Sequence, residues 1–278
     1  MTEEEIISAA LCEDIGDGDH SALSTIPGEA HGKAKLLVKE DGILAGMEVA
    51  RKVFSLVDPH LQMQAYLKDG SRIRRGDVAF VVWGPSISLL TAERTVLNFM
   101  QRMSGIATQT RRYVDAVQGT GAVVLDTRKT TPNMRIFEKY AVRAGGAQNH
   151  RMGLYDMIMI KDNHVDFAGG IPLAIAAVQR YLTEKNKTLR IEIEVRDMDE
   201  LQQVLDVGGV HRIMLDNFTP AALKEAVALI DGRFETEASG GITLETIRSF
   251  AATGVDFISV GALTHHISSL DLSLKAID

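Results

Sequence analysis

The chain has 278 residues, of which 45% are hydrophobic, so it can bury a substantial core as one large domain or two moderate ones. A formal net charge of −7 and an aromatic content of 5% argue against nonspecific nucleic-acid binding and against stacking platforms for single strands. No apolar run approaches the ~20 residues of a membrane helix, and the acidic start MTEEEII is unlike a secretory signal. Cys12 is the only cysteine, which excludes an internal disulfide and predicts a cytoplasmic protein.

The N-terminal part is predicted to form a small α+β domain. Residues 1–23 read as a short helix followed by a turn-rich segment. Alternating apolar residues, separated by turn signals such as Asp-Gly, then predict strands at 33–39, 61–68 and 78–83. A helix is predicted at 47–57, between the strands.

The boundary between the predicted domains lies in a helical region. An apolar stripe predicts a helix at 88–103, and a second helix is predicted at 107–117. Ser104-Gly105 is interpreted as a break between them. The predicted domains are 1–105, with the tail 266–278 expected to pack back on it, and 106–265.

From Gly121 onward, short apolar strands alternate with helical segments. The predicted strands are 122–125, 157–160, 190–195, 211–215, 233–238 and 257–260. The predicted helices are 171–181, 199–207, 220–230 and 244–253. Repeated β-α units imply a parallel sheet, either open or closed into a barrel. No G-x-G-x-x-G follows the first strand, and every strand ends in residues able to bind or catalyse, so a β/α barrel is preferred.

A net cationic stretch follows the first predicted strand. The segment from Asp126 to His164 holds seven Lys and Arg residues against four acids, although the whole chain is acidic. Groups able to bind anions stand at the first two strand ends and between them: Arg128, Lys129, His150, Arg151 and Lys161. Arginine recognises carboxylate or phosphate with two parallel bonds, and lysine adds a point charge. Each alone could be a surface charge, but together they predict a ligand with several negative charges.

Acidic residues belong to the third and fourth predicted strands. Glu194 and Asp216 are expected to face the cations across the barrel mouth. They could ligate Mg²⁺, hold sugar hydroxyls or stabilise positive charge that develops at a reacting carbon. Glu192 shares the face of Glu194, one pleat deeper, and could be only an ion-pair partner.

The last two predicted strands end in small residues, Ser239-Gly240-Gly241 and Gly261-Ala262. Each precedes a predicted helix, whose N-terminal N–H groups suit a phosphate, and final barrel loops often carry such a site. The glycines could instead only make tight turns. His265-His266 lack a third ligand at metal spacing, so no zinc site is predicted.

The blocks DTRKTTP, KYAVRAGGAQNHRMGLYD and IKDNH resemble the signature of the quinolinate phosphoribosyltransferases, and the resemblance extends from LCEDIGDGDHS to SVGALTHH. It implies an α/β fold with an incomplete β/α barrel of six to seven strands beside a smaller N-terminal α+β domain. The implied reaction transfers phosphoribose from phosphoribosyl pyrophosphate to quinolinate and releases CO₂ and pyrophosphate, to give nicotinate mononucleotide for NAD synthesis. Mg²⁺ is the implied cofactor, no organic cofactor is needed, and a homodimer with shared active sites, or a higher oligomer, is expected.

The resemblance also implies a role for each matching residue. The catalytic set is Lys129, Glu194 and Asp216, of which Glu194 and Asp216 are also the candidate Mg²⁺ ligands. The substrate-binding set is Arg94, Thr127, Arg128, His150, Arg151 and Lys161. The phosphate-binding set is Ser239, Gly240, Gly241, Gly261, Ala262 and His265. The sequence alone favours a solvated helix charge for Arg94, whereas the resemblance implies that Arg94 reaches the neighbouring subunit's site.

Departures from the family pattern are small. Ala144 stands where many members have Cys, and Ala147-Gln148 replaces a more glycine-rich run, so only loop geometry is affected. Two alternatives remain: a sister group from molybdenum transport operons that acts on another substrate, and a non-catalytic anion-binding protein on the same barrel.

Overall fold

A computed structural model describes residues 1–277 and divides into two compact units. In chain order, the elements up to residue 116 are α1 (Glu3–Ile15), α2 (His20–Thr25), β1 (His31–Val38), β2 (Gly42–Ile43), α3 (Met47–Val57), β3 (Gln62–Ala65), β4 (Arg72–Ile73), β5 (Val78–Pro85) and α4 (Ser86–Ala116). The later elements are β6 (Val123–Leu125), α5 (Arg135–Gly145), β7 (Met157–Ile160), α6 (Asp162–Ala168), α7 (Ile171–Glu184), β8 (Arg190–Val195), α8 (Met198–Val207), β9 (Arg212–Asp216), α9 (Pro220–Ile230), β10 (Glu235–Ser239), α10 (Ile247–Ala251), β11 (Phe257–Ser259), α11 (Ala262–His265) and β12 (Leu272–Ile277).

Unit 1 is built on an antiparallel sheet with the strand order β12-β1-β5-β3. Inner residues of β1 alternate with outer ones, so that Ala34, Leu36 and Val38 are buried, as expected for a sheet covered on one face. The amphipathic helix α3 buries Phe54, whose ring meets Phe80 of β5 edge-on at 5.9 Å between ring centres. The C-terminal strand β12 pairs with β1 from Lys33↔Ile277 to Val38↔Leu272.

Helix α4 is one continuous helix of 31 residues, so the predicted break at Ser104-Gly105 is wrong. The two residues allow close packing instead of ending the helix. Ser104 Oγ bonds both the N–H and the C=O of Ala45, at 3.0 and 3.1 Å. A Cβ at Gly105 would lie 2.2 Å from the carbonyl oxygen of Ser268. The small side chains that resembled a stop signal are therefore points where α4 meets other backbone segments.

The division into units differs from the predicted domains at residues 106–111, 130–146 and 263–265, and the largest of these differences is 130–146. Unit 1 combines Met1–Arg111, Thr130–Gly146 and the residues from Leu263 onward, and unit 2 combines Arg112–Lys129 with Ala147–Ala262. The reason is that α5, which the sequence did not predict, packs on α4. Phe137 meets Phe99 at 4.9 Å between ring centres. The carboxylate of Glu138, which is fully buried, accepts bonds from Arg102 Nε and Nη2 at 2.9 and 2.6 Å.

Unit 2 contains a parallel sheet of six strands in the order β6-β11-β10-β9-β8-β7. The two edges of this sheet are β6 and β7, which are its first and second strands along the chain. Among the described residues no strand pairing joins them. This is a β/α barrel left open between its first and second strands, which confirms the predicted fold class. A single bridge, Leu125↔Gln148, extends the pairing of β6.

Strands β8, β9 and β10 of unit 2 carry charged residues on one face of the sheet and mainly apolar residues on the other. In β8, Ile191, Ile193 and Val195 alternate with Glu192 and Glu194, and all five are buried. Register places Arg212 of β9 beside Glu192 and Met214 beside both Glu194 and Glu237. Because successive side chains of a strand point to opposite faces, the charged residues share the interior face of the sheet.

Most predicted element boundaries are correct to within three residues. Helix α10 spans only Ile247–Ala251, so Gly241 lies six residues before it and not at its start. Asp162, Asn163 and His164, which follow β7, form the first turn of α6, a helix that the sequence did not predict. In the part of the chain that the structure describes, no helix has the length and apolar character needed to cross a membrane.

Candidate active site

The C-terminal end of β6 is held by a buried carboxylate. Asp126 is fully buried and accepts hydrogen bonds from Asn149 Nδ2 at 2.6 Å and from the backbone N–H of His150 at 2.8 Å. Its own backbone N–H donates to Gln148 O at 3.2 Å. These bonds fix residues 148–150 against β6, so the polar segment before β7 starts from a defined position.

Arg128 and Arg151 bring two guanidinium groups close together in unit 2. Burial lowers the pKa of Arg151, and the positive charge of Arg128 lowers it further. Arg151 Nη1 donates to the carbonyl of Met157 at 3.2 Å. The buried Nε of Arg128 has no hydrogen-bond acceptor in the described part of the chain. Two neighbouring cations, one with an unused buried donor, have the charge and the donors to bind a ligand with more than one carboxylate.

Lys161 and Glu194 form an ion pair at the ends of β7 and β8, with 2.7 Å between Nζ and Oε2. Glu194 is buried, and Lys161 is half-exposed. The backbone N–H of Lys161 donates to His164 Nδ1 at 2.9 Å, which holds Lys161 at the start of α6. The structure therefore brings together a cation and an acid that the sequence predicted on neighbouring strands.

Asp216 is the last residue of β9, and in the register of the sheet it stands beside Ser239, the last residue of β10. Asn217 Nδ2 donates to Asp216 Oδ2 at 2.6 Å. Asn217 has a left-handed backbone with φ of 57°, which Asn tolerates better than most residues. On strand β8, Glu194 stands beside Met214, so Asp216 lies one pleat further along the same interior face.

The predicted phosphate-binding residues of β10 form a tight left-handed turn. Gly240 and Gly241 have φ values of 104° and 57°. A Cβ at Gly240 would lie 2.2 Å from Asn217 Oδ1 and 2.9 Å from its backbone nitrogen. The helix predicted from residue 244 begins only at Ile247, six residues after Gly241, whereas Gly261 directly precedes α11. Their phosphate-binding role remains a prediction.

The other predicted site residues are placed as follows. The backbone N–H of Lys129, whose side chain is exposed, donates to Thr127 Oγ1 at 3.1 Å in unit 2. Arg94 is an exposed residue of α4 in unit 1. His265 ends α11 in unit 1, where its ring meets that of His266 at 4.4 Å between centres.

A buried charged cluster lies inside unit 2, and sequence reasoning identified only part of it. We call it the His150 cluster: His150, Glu192, Arg212 and Glu237. His150 Nε2 lies 3.0 Å from Glu192 Oε2 and 3.4 Å from Glu237 Oε2. Arg212 Nη1 donates to Glu237 Oε2 at 2.8 Å, and its guanidinium stacks 3.9 Å from the ring centre of Phe257. The alternation in Glu235-Thr236-Glu237, which places both acids on one face of β10, was the signal that could have revealed Glu237.

The cluster shifts the pKa values of its members in opposite directions. Burial lowers the pKa of His150, but Glu192 and Glu237 outweigh it and raise it to about 9. Burial raises the pKa of Glu192, and the negative charge of Glu237 raises it further. Burial also acts to raise the pKa of Glu237, but His150 and Arg212 lower it overall. His150 and Arg212 therefore stabilise the charged form of Glu237 more than that of Glu192.

Two protein-family models match the chain, one in each half. The model of the quinolinate phosphoribosyl transferase C-terminal domain matches residues 106–275, and that of the N-terminal domain matches residues 19–104. The chain belongs to this family. The two matches meet at residues 104–106, inside helix α4.

Relatives and solved structures of the quinolinate phosphoribosyltransferase family agree over nearly the whole chain. Nicotinate-nucleotide pyrophosphorylase [carboxylating], chloroplastic, of Arabidopsis thaliana is 47% identical, over 97% of this chain and 81% of its own length. A probable nicotinate-nucleotide pyrophosphorylase [carboxylating] of Bacillus subtilis is 42% identical, over 98% of this chain and 92% of its own length. The crystal structure of NadC from Streptococcus pyogenes superposes with a TM-score of 0.93 at 41% identity and covers 99% of this chain and 97% of that one.

Proposed function

We propose that the protein transfers phosphoribose from phosphoribosyl pyrophosphate to the ring nitrogen of quinolinate, with release of CO₂ and pyrophosphate and formation of nicotinate mononucleotide. Family membership supports the reaction class. The observation that supports quinolinate as the substrate is the adjacent pair Arg128 and Arg151, with the unused buried Nε of Arg128. Quinolinate has two neighbouring carboxylates, and two guanidinium groups held together match that charge pattern.

Lys161, Glu194 and Lys129 are proposed to act around the reacting atoms. Loss of pyrophosphate develops positive charge at the ribose carbon, and the Glu194 carboxylate can stabilise that charge. Lys161, 2.7 Å from Glu194, holds that carboxylate in place while contributing its own charge to the anionic substrates. Lys129, an exposed cation two residues after Thr127, is assigned to substrate or pyrophosphate.

We propose that Mg²⁺ accompanies phosphoribosyl pyrophosphate, with Glu194 and Asp216 as the candidate ligands. The residues fit this ion, because Mg²⁺ prefers oxygen ligands and usually takes one or two carboxylates together with substrate phosphates. Both carboxylates lie on the interior face of neighbouring strands, one pleat apart. When bound, the ion would neutralise part of the charge of the leaving pyrophosphate.

After transfer of phosphoribose, the positively charged pyridine nitrogen serves as the electron sink for decarboxylation. The C2 carboxylate leaves as CO₂, the electron pair of the broken bond stays on C2 beside the positive nitrogen that stabilises it, and a proton taken up from solvent at C2 completes nicotinate mononucleotide. The protein's part is to hold the remaining carboxylate and exclude competing orientations, which the arginine pair can do. No organic cofactor is required for this step.

The decisive experiment measures release of labelled CO₂ from quinolinate that carries the label in its 2-carboxylate. Release should require the protein, phosphoribosyl pyrophosphate and Mg²⁺ together, and nicotinate should be a poor substrate because it lacks that carboxylate. Quinolinate binding without turnover would indicate an anion-binding protein. Absence of both would favour another substrate, as in the molybdenum-operon sister group, which the names of the relatives do not favour.

Assembly and location are further parts of the proposal. We assign a homodimer in which Arg94, exposed on α4, reaches the site of the neighbouring subunit. A cytoplasmic location is supported by the single free cysteine, Cys12. The Arabidopsis and tobacco relatives are named as chloroplastic and mitochondrial, respectively. A test of the shared site mixes Arg94→Ala and Glu194→Gln subunits, because hybrid dimers should regain one working site and hence activity that neither parent has.

A further inference from the structure

Each ring nitrogen of His150 faces a group of the protein itself: Nδ1 accepts a hydrogen bond, and Nε2 lies within ion-pair distance of two carboxylates. The backbone N–H of Arg151 donates to Nδ1 at 2.7 Å. A nitrogen that accepts this bond cannot carry a proton, so the proton of the neutral ring belongs on Nε2. Nε2 in turn lies between the carboxylates of Glu192 and Glu237, at 3.0 and 3.4 Å. The imidazole is only 9% exposed.

The two carboxylates are themselves held in place. Glu192 and Glu237 are fully buried, and the register of the sheet puts Arg212 beside Glu192 on the neighbouring strand. Arg212 bonds Glu237 at 2.8 Å and packs on Phe257. Since removing one partner of a buried charged pair leaves an uncompensated charge, the cluster has little freedom to rearrange.

We propose that Glu192 and Glu237 are positioning residues that hold the Nε2–H tautomer of His150 and, through the bond from the Arg151 N–H, set the position of Arg151 for the substrate. This inference rests on the proposed function in one respect, namely that Arg151 meets a carboxylate of quinolinate. His150 then supports the contact that Arg151 makes, and makes none through its own ring nitrogens. Glu192 and Glu237 would orient His150 in the way that carboxylates orient the histidines of metal sites.

The same residues could be interpreted as a metal site, because ligand atoms of His150, Glu192 and Glu237 all lie within 4.8 Å of one another. A metal would require Nε2 without its proton, since the nitrogen lone pair makes the bond. The Arg151 N–H occupies Nδ1, so the ring proton has no other position. Arg212 already supplies a positive charge to Glu237. The geometry therefore favours a hydrogen-bonded cluster over a bound ion.

The first test is ¹⁵N NMR of the histidine side chains in the wild-type protein at pH 10, above the raised pKa of about 9 at which the ring takes up a second proton, with His150 assigned by its loss in His150→Gln. The expected spectrum shows a protonated Nε2 and an unprotonated Nδ1, before and after addition of quinolinate. A doubly protonated ring, an Nδ1–H tautomer, a ring-nitrogen shift change caused by quinolinate, or stoichiometric metal in the purified protein would overturn the proposal. This readout needs no turnover, so it remains valid if the proposed reaction fails.

The second test uses Glu192→Gln and Glu237→Gln. Each should raise KM for quinolinate by about 10- to 100-fold, the scale of a misplaced contact, with a smaller change in KM for phosphoribosyl pyrophosphate, and should alter the ¹⁵N signals of His150. Glu235→Gln is the matched control, because Glu235 lies on the same strand and bonds Arg212 at 3.1 Å but is not among the contacts of His150. Equal effects on both KM values, or an unchanged KM for quinolinate in folded variants, would contradict the positioning role.

Discussion

At the scale of single residues, the ion pair between Lys161 and Glu194 gives the sharpest prediction for catalysis. We expect Glu194→Gln to lower kcat by at least ~10²-fold, because it removes a negative charge that stabilises the developing positive charge at the ribose. Labelled CO₂ release under saturating substrates measures the effect. Glu225→Gln, at an exposed residue of α9, is the control and should keep full activity. Full turnover in Glu194→Gln would remove Glu194 from the catalytic set.

Arg151 tests the recognition of the substrate at the same scale. Arg151→Lys keeps the charge but loses the planar fork that binds a carboxylate with two parallel bonds. We expect KM for quinolinate to rise by about 10- to 100-fold, as for loss of a charge-assisted hydrogen bond, with the affinity for phosphoribosyl pyrophosphate little changed. Isothermal titration with each substrate separates the two. Arg180→Lys, at an exposed position of α7, is the control.

At the scale of elements, helix α4 shows how packing can reverse a propensity argument. Alanine favours a helix interior over glycine by roughly 0.5–1 kcal/mol, so propensity alone predicts that Gly105→Ala stabilises the protein. A Cβ at this position lies 2.2 Å from Ser268 O, a backbone atom that cannot move aside cheaply. We expect a net loss of about 1–3 kcal/mol, the usual cost of overpacking, measured as a lower Tm. Gly28→Ala, with no atom near its Cβ, should be neutral, and a stabilised Gly105→Ala would contradict the contact.

The turn after β10 gives a prediction for the phosphate ligand. Gly240→Ala places a Cβ against Asn217 in a backbone conformation, φ 104°, that L residues rarely adopt. Asn217 bonds Asp216, so the strain should reach the proposed Mg²⁺ and ribose site. We expect KM for phosphoribosyl pyrophosphate to rise about tenfold or more, with binding of quinolinate alone little changed. A variant with unchanged kinetics and unchanged Tm would show that the turn tolerates a side chain.

Which elements and site residues could be predicted depends on how local their signals are. Helix α3 and strand β8 have strong periodicity, and both were predicted with the observed bounds. Helix α5 was missed, because its partners Arg102 and Phe99 lie more than thirty residues away in sequence. Likewise Glu194 could be identified as a polar residue near a strand end. The part that Arg212 plays in the His150 cluster could not, because it depends on the register that places Arg212 beside Glu192. Family resemblance supplied the roles that no local pattern contains, and those roles remain predictions for the individual residues.

At the scale of the whole molecule, stability should depend on acid pH through the buried and half-buried acids of β10. Partial burial acts to raise the pKa of Glu235, but the ion pairs with Arg190 and Arg212 lower it below its ordinary value of about 4.5. A group with a lowered pKa in the folded state stabilises above its unfolded pKa, and this contribution is lost as the pH falls through the folded pKa. We expect Glu235→Gln to have a lower Tm than wild type at pH 7 and a smaller difference at pH 3. A difference that stays constant with pH would contradict the ion-pair contribution.

The pairing of β12 with β1 has a consequence for synthesis on the ribosome. β1 leaves the ribosome more than two hundred residues before β12, its neighbour in the sheet. Until then β1 has an exposed backbone edge of the kind that invites aggregation. The sheet that starts first is therefore completed last, after all six parallel strands of unit 2 have been made. A chaperone should therefore bind near β1 and protect this edge in nascent chains. Its binding should end when β12 emerges from the ribosome.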